Sequence, residues 1–561
     1  MPQFLDRKSF VSQLSLVALV ASALSFSGVA SADEPKLIGH WKLQDSAADS
    51  SGNLHTGKVH GVKFVADGPT VGLSKSAEFD GRDNLIEVDS SEKLNLGRDP
   101  FSVSMWVHTD EMLDDVLGDL ISRYDPANRQ GFSLTLMHNV GQTTGTANER
   151  QLQFGIDNGH IDENWTDNGR LGNAVLVFSM LVHDGVLYGS TCEAEESGRG
   201  HIFRYAGGDT WEDIGSPDPS NSISALASYE GEIYAASSKY RLRGSALSES
   251  ENPNLGGKIY KYKADNDWEL VGELPEVEAV AGLTVYKGKL YVSSLYKPAS
   301  LFRYDGGTTW TSVGTPDGKR VEALTVWNGE IWASCYDEGS VFRFDGEKWT
   351  HTGKLGETTQ TYAFVVYESQ LYCGCWPGGD VFRYDGDQNW VNTGRLGEEL
   401  EVMGMAVYNG KMYGGTLPLA QVYRYDGPDQ WTLTGRIDLT PDVKYRRAWT
   451  MAVYQGRLFT GTLPSGRVWS IEAGRVASAD RRFPAGWHHV TAVKETESLK
   501  LYVDGKQIAE SSKLSSDDYE LNPDVSLRIG AGPHDHFRGK LCDVRLYRGA
   551  LSAEAVAKLA K

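Results

Sequence analysis

Three acidic side chains stand close together in "EVDSSE": Glu87, Asp89 and Glu92. Two carboxylates held about 5–5.5 Å apart on one strand face can act as nucleophile and acid at a glycosidic bond. Here the strand text stops at Val88, and Ser90 and Ser91 stand where apolar residues would continue it. The reading favoured is an exposed acidic turn, with a polysaccharide-active enzyme as the alternative. "HDH" at 534–536 offers two imidazoles without further ligands, a pattern that points to an exposed loop rather than a metal site. "CGC" at 373–375 falls at ordinary strand positions inside a repeat, which favours packed thiols over redox chemistry. With five cysteines, at least one thiol has no intramolecular disulfide partner.

Aromatic and arginine side chains in loops offer recognition instead of bond cleavage. The segment "SKYRLRGSALSESENPNLGG" (238–257) places Tyr240, Arg241 and Arg243 in an otherwise acidic chain. Tyr296, Tyr336 and Trp376 recur at nearby positions of successive repeats, and "YRRAW" (445–449) adds Arg446 and Trp449. Aromatic faces stack on sugar rings, and arginines fix hydroxyls or carboxylates. These eight residues are expected to form a ligand-binding face; the alternative is that the aromatics only cap the ends of sheets.

The elements that must hold them form a repeat. One unit reads "AVYNGKMYGG…QVYRYDGPDQWTLTG" (406–435): four short strands with glycine turns, the text of a propeller blade. An inner hairpin occurs seven times, from "DGVLY" at 184 to "QGRLF" at 455. An outer-strand tryptophan also occurs seven times: Trp165, Trp211, Trp268, Trp310, Trp349, Trp390 and Trp431. The tryptophans start one step early, and "GRVWSIEAG" (466–474) has no such strand behind it. The strand around Trp165 is therefore expected to complete the last of seven blades and close the ring. On the innermost strands one position is always small: Ser179, Ala225, Gly282, Ala323, Ala363, Gly404 and Thr450. The position before it holds Phe178, Ser224, Ala281, Glu322, Tyr362, Met403 and Trp449, with Glu322 its only acid. No acid–base set converges there. The hairpin turns are short and uniform, whereas the loops at the other end vary, as recognition loops do.

The flanks lack the repeat. "GWHHV" (486–490), "LYVDG" (501–505) and "DVRLY" (543–547), with "LS" behind them, resemble in that order a LamG-like, concanavalin-type jelly roll. The upstream strands complete it, so the expected fold is all-β: a discontinuous jelly-roll sandwich with an inserted propeller. The expected division is 1–32 signal peptide, 33–162 first part of the jelly roll, 163–472 propeller and 473–561 second part. The propeller resembles the kelch-like and Asp-box groups, "DGGTTW" at 305–310 matching the sialidase turn, which is structural there. The jelly-roll resemblance brings two further implications. "EVDSSE" matches the E-x-D-x-x-E of laminarinase-like hydrolases, and Asp45, Asp49, Asn53 and Asp543 match places where LamG-like domains hold a structural calcium ion.

Arg7 and Lys8 precede an apolar stretch at 10–24, and "ASA" (30–32) supplies small residues for cleavage. The expectation is a signal peptide cut near Ala32, leaving the protein secreted or in the periplasm or cell envelope. The chain carries a net charge of −20; the signal takes away Asp6, Arg7 and Lys8, a net +1, leaving −21. Such a surface repels nucleic acid and anionic lipid, and no later stretch is long enough to insert in a membrane. The expected protein is an exported, non-catalytic binder of a glycan or glycoprotein surface. A glycoside hydrolase-like enzyme and a cell-surface protein-interaction scaffold are the alternatives.

Overall fold

Apolar residues that alternate with small ones along the innermost strands draw seven sheets towards one axis. A computed structural model describes residues 34–112, 114–139 and 143–561; the expected signal peptide lies outside them. Each blade has four antiparallel strands, the first being Leu176–His183, Val186–Cys192, Ile202–Gly207 and Thr210–Asp213. Every innermost strand neighbours the next, and Leu176–His183 neighbours Arg447–Tyr454 of the last blade, so the ring is closed. Between blades the core is filled by Met180, Leu226, Leu283, Leu324, Phe364, Met405 and Met451, all fully or almost fully buried. The small column is a steric requirement. A Cβ on Gly282 would lie 2.5 Å from the Glu322 carbonyl oxygen, and one on Gly404 would lie 2.9 Å from that of Trp449.

Closure is made by the solitary tryptophan segment. The last blade takes three strands from Arg447–Tyr454, Arg457–Leu463 and Arg467–Arg482, and its fourth from Asn148–Arg170. Arg467 lies opposite Arg170, Trp469 opposite Asp167 and Ser470 opposite Thr166. Six outer tryptophans donate their indole N–H to a backbone carbonyl in or just after the fourth strand of the preceding blade, from Trp211 to Asn168 at 2.7 Å through Trp431 to Thr393 at 3.2 Å. Trp165 takes the seventh place, packed so tightly on Gly435 that a Cβ there would meet its ring at 2.3 Å.

The strands Asn148–Arg170 and Arg467–Arg482 do not stop at the propeller. Their antiparallel register runs on, through several irregularities, to Arg482 opposite Gln151 inside a two-sheet sandwich. That sandwich is assembled from both ends of the chain. Phe101–Thr109 pairs with Gly486–Lys494 on one side and Arg538–Arg548 on the other. The second sheet joins Gly118–Asp125, Gln130–Asn139 and Asn148–Arg170 in order. Its inward residues Leu120, Phe132, Leu134 and Phe154 belong to the sandwich core. The chain is thus a discontinuous LamG-like jelly roll with an inserted seven-bladed propeller.

The outward residues of the second sheet, Asp119, Ser133, Thr135 and Gln153, are also buried. The hairpin turns of the propeller cover them. Asn328 N donates to Asp115 at 2.8 Å, Glu368 N to the Pro533 carbonyl at 3.0 Å, and the Tyr124 hydroxyl to the Asn409 carbonyl at 3.2 Å. This corrects the reading of "HDH" as an exposed loop. His534 and Asp535 are 2% and 1% exposed at this joint, because hairpin docking is a tertiary event that local sequence does not report.

Candidate functional site

The end of the propeller away from the sandwich holds a cavity of about 610 Å³, within the range of small-ligand sites. Its inner wall comes from the innermost strands. Each of these has a register irregularity where one or two residues lack an opposite partner, for example between Val177 and Ser179, Val321 and Leu324, and Ala448 and Thr450. Such bulges re-aim a side chain. The residue before each small position falls in this gap, and six of the seven, Phe178, Ala281, Glu322, Tyr362, Met403 and Trp449, line the cavity. The seventh, Ser224, is held to the Val280 carbonyl at 2.9 Å. From the sandwich side Thr144 completes the lining, its hydroxyl 3.5 Å from the Phe178 carbonyl.

The outer wall comes from the variable loops. Tyr240, Arg241, Arg243, Tyr296, Tyr336 and Trp449 of the expected face all line the cavity. Trp376 packs against the same aromatic cluster without lining it, edge-to-face with Tyr445 at 6.4 Å. Arg446 turns away and donates from Nε to the Thr440 carbonyl at 2.7 Å. Its neighbour Arg447 points in instead, since successive residues at a strand start face opposite sides. Phe178, Tyr362, Met403 and Arg447 were not foreseen as site residues, nor was Glu322 given a binding role. For all but Arg447 the signal was the aligned column before the small residue, which lines a cavity once the bulge turns it.

The aromatic rings meet at steep angles: Phe178 with Tyr240 at 5.0 Å and 85°, and Phe178 with Trp449 at 5.2 Å and 70°. This locks them in place. Arg241 stacks over Tyr296 and Arg320 over Tyr336, each at 4.3 Å from the ring centre. Arg447 is 6% exposed; its Nε donates to Glu401 at 2.9 Å and its Nη1 to Ser245 at 2.6 Å. Burial opposes its charge, but Glu401 outweighs that and keeps the guanidinium ionised. Glu322 is 5% exposed, and its Oε2 is buried with no hydrogen-bond partner among the described residues. Burial, reinforced by the charge of Glu401, pushes its carboxyl up to about 8. Trp449 Nε1 is likewise buried with no partner.

The other candidates do not converge. The strand Leu85–Val88 ends before Asp89, which pairs with Lys58 at 2.6 Å, and Glu87 faces His60 at 3.7 Å. Among the calcium candidates, Asp45 pairs with Lys75, and Asp543 is held between His40 at 2.7 Å and Arg545 at 2.8 Å. Asn53 donates to the Ile38 carbonyl at 3.2 Å. Burial would raise the Asp49 carboxyl, but the amides of His55, Ser51 and His40 hold it below its ordinary value. As placed, these four do not fit one ion: the Asp45 carboxylate points to a lysine, and that of Asp543 is shared by two basic side chains. Among the described residues no group of three or more His, Cys, Asp or Glu side chains could hold a metal. All five cysteines are buried and free, and Cys373 and Cys375 share one hydrophobic cluster.

The family model of the concanavalin A-like lectin/glucanases superfamily matches residues 443–557, the last blade and the second part of the sandwich. No curated protein matches the chain significantly. Among solved structures, a streptogramin B lyase is similar over 55% of this chain and 98% of its own, with 11% identity and a TM-score of 0.44. Virginiamycin B lyase from Staphylococcus aureus gives 55%, 99%, 10% and 0.44. The WD40 propeller domain of Doa1 gives 55%, 97%, 10% and 0.39. At TM-scores below 0.5 these likenesses carry no argument about function.

Proposed function

We propose that this chain is an exported, non-catalytic binding protein whose propeller cavity recognises a glycan or a glycosylated surface. The observation that carries this reading is the cavity itself. Aromatic side chains from inner strands and outer loops surround a few convergent polar groups, the composition that sugar binding needs. The lectin-like superfamily match of the sandwich is compatible with a carbohydrate ligand. The outward face of its second sheet is buried under the hairpin turns, which leaves the far end of the propeller as the open face. The varied loops there, against uniform turns at the joint, agree with recognition at that end. The kelch-like character of the blades rests on their repeated hairpin and tryptophan text, and export rests on the N-terminal sequence.

A glycan array probed with the wild-type protein tests the reading. Tyr336→Ala and Trp449→Ala should each abolish the binding seen. Trp376→Ala, one residue outside the cavity wall, should retain most of it. Undiminished binding in both cavity variants rejects the site.

A further inference from the structure

We propose that the propeller cavity takes a positively charged sugar, an amino sugar whose ammonium group sits against Glu322 within the ring of aromatic faces. This rests on the reading of the cavity as a glycan site and specifies the ligand further.

The argument begins with how the charges are paired. Arg447 is bonded to Glu401 at 2.9 Å, Arg320 to Asp337 at 2.6 Å, and Arg241 to Glu278. Each of these arginines therefore has an acid of its own. Glu322 has no ion-pair partner among the described residues, although it is nearly fully buried and one of its oxygens accepts nothing. A carboxylate in that position needs a proton or a cation. The groups that face it electrostatically are Glu401, Arg320 and Arg447. Both arginines are committed elsewhere, and Glu401 disfavours a second negative charge.

The walls select in the same direction. Phe178, Tyr240, Tyr296, Tyr336, Tyr362 and Trp449 surround the space, and an aromatic ring carries negative density on its face. Two of these tyrosines already hold guanidinium groups on one face at 4.3 Å, with Tyr336 and Tyr296 as the rings. The loop at the mouth adds Glu249 and Glu251 beside Arg243. A uronic acid would bring a second carboxylate towards the charge of Glu401 and could be held only while Glu322 keeps its proton. An ammonium on a sugar ring meets an unpaired carboxyl, stacking faces for the ring, and the attraction of a chain of net charge −20.

Titration calorimetry of the whole protein with glucosamine tetramers, their N-acetylated counterparts and glucuronic acid oligomers tests this, with tetramethylammonium as a probe that is not a sugar. Expected is binding of the glucosamine tetramer at least about tenfold tighter than of the acetylated one, a preference erased in Glu322→Gln. Because Glu322 is held largely protonated at pH 7 in the free protein, the wild type should also release a proton on binding the amine. That release reads out as a heat that changes with the ionisation enthalpy of the buffer, and it needs no variant to fold. Equal binding of amine and acetylated sugars without proton release overturns the amino-sugar inference and leaves the glycan reading standing. Binding of tetramethylammonium but of no sugar overturns the sugar part of both. Tighter binding of the uronic acid overturns the charge assignment.

Discussion

Trp211 donates its indole N–H to the Asn168 carbonyl at 2.7 Å, joining the first blade to a strand that the chain laid down before any whole blade existed. The same strand lies along Arg467–Arg482, with Asn168 also bonded to Ser470. One segment thus closes the ring from both sides. Trp211→Phe should cost about 0.5–1.5 kcal/mol, the worth of one hydrogen bond. Trp165→Ala should cost about 2–3 kcal/mol, below the 3–5 of a fully buried tryptophan because this ring is only partly buried. Chemical denaturation of each variant gives the values, and an unchanged midpoint for Trp165→Ala would contradict closure by this strand.

The joint between sandwich and propeller contains a proton-linked group. Asp480 accepts from Gln455 N at 3.0 Å and from Ser478. Burial pushes its carboxyl from the ordinary 3.8 to about 7. The unfolded chain loses this proton near pH 4, whereas the folded one keeps it until about 7. The contribution of Asp480 to stability is therefore fully present below 4, is lost as pH rises to about 7, and is flat above. Asp480→Asn removes this slope. The melting temperature of the variant should rise relative to wild type between pH 5 and pH 8, and a parallel pair of curves would contradict it.

Two histidines at the joint, His534 buried and His138 partly buried, act in the opposite direction. Burial holds His138 at about 3 and His534 at about 4. Each favours the folded state above the ordinary value of 6.5, and that stability is lost as pH falls towards 4 and 3. His534→Gln should weaken the loss of stability between pH 6.5 and 4, measured by thermal melts across that range.

Calcium should not matter to the sandwich. The four residues expected to hold it are engaged with Lys75, His40, Arg545 and local backbone groups. Chelation with EDTA should leave the melting temperature unchanged. Asp543→Asn should destabilise by about 1–2 kcal/mol through its lost charged hydrogen bonds. A melting temperature that rises with added calcium and falls with chelator would contradict this.

Architecture was legible because repetition is redundant. Seven hairpins against seven tryptophans offset by one step implied the closing strand without any knowledge of contacts. The cavity was legible by half. Tyr240, Tyr296 and Tyr336 stand in loops whose variety marks them, but Glu322 and Tyr362 stand in strands. Simple alternation does not show that a bulge turns them inward. Arg446 and Arg447 differ by one position, and at a strand start that single step decides which of them faces the ligand. The burial of "HDH" depends on a docking partner far away in sequence, at Glu368 and Ser369.

The most direct test is hydrogen exchange on the wild-type protein with and without a bound glycan taken from the array. Protection is expected at residues 240–249, 295–296, 336 and 445–449, the mouth of the propeller, with the sandwich strands unchanged. Protection confined to the sandwich, or spread along the hairpin joint with the mouth unaffected, would contradict the placement of the binding site.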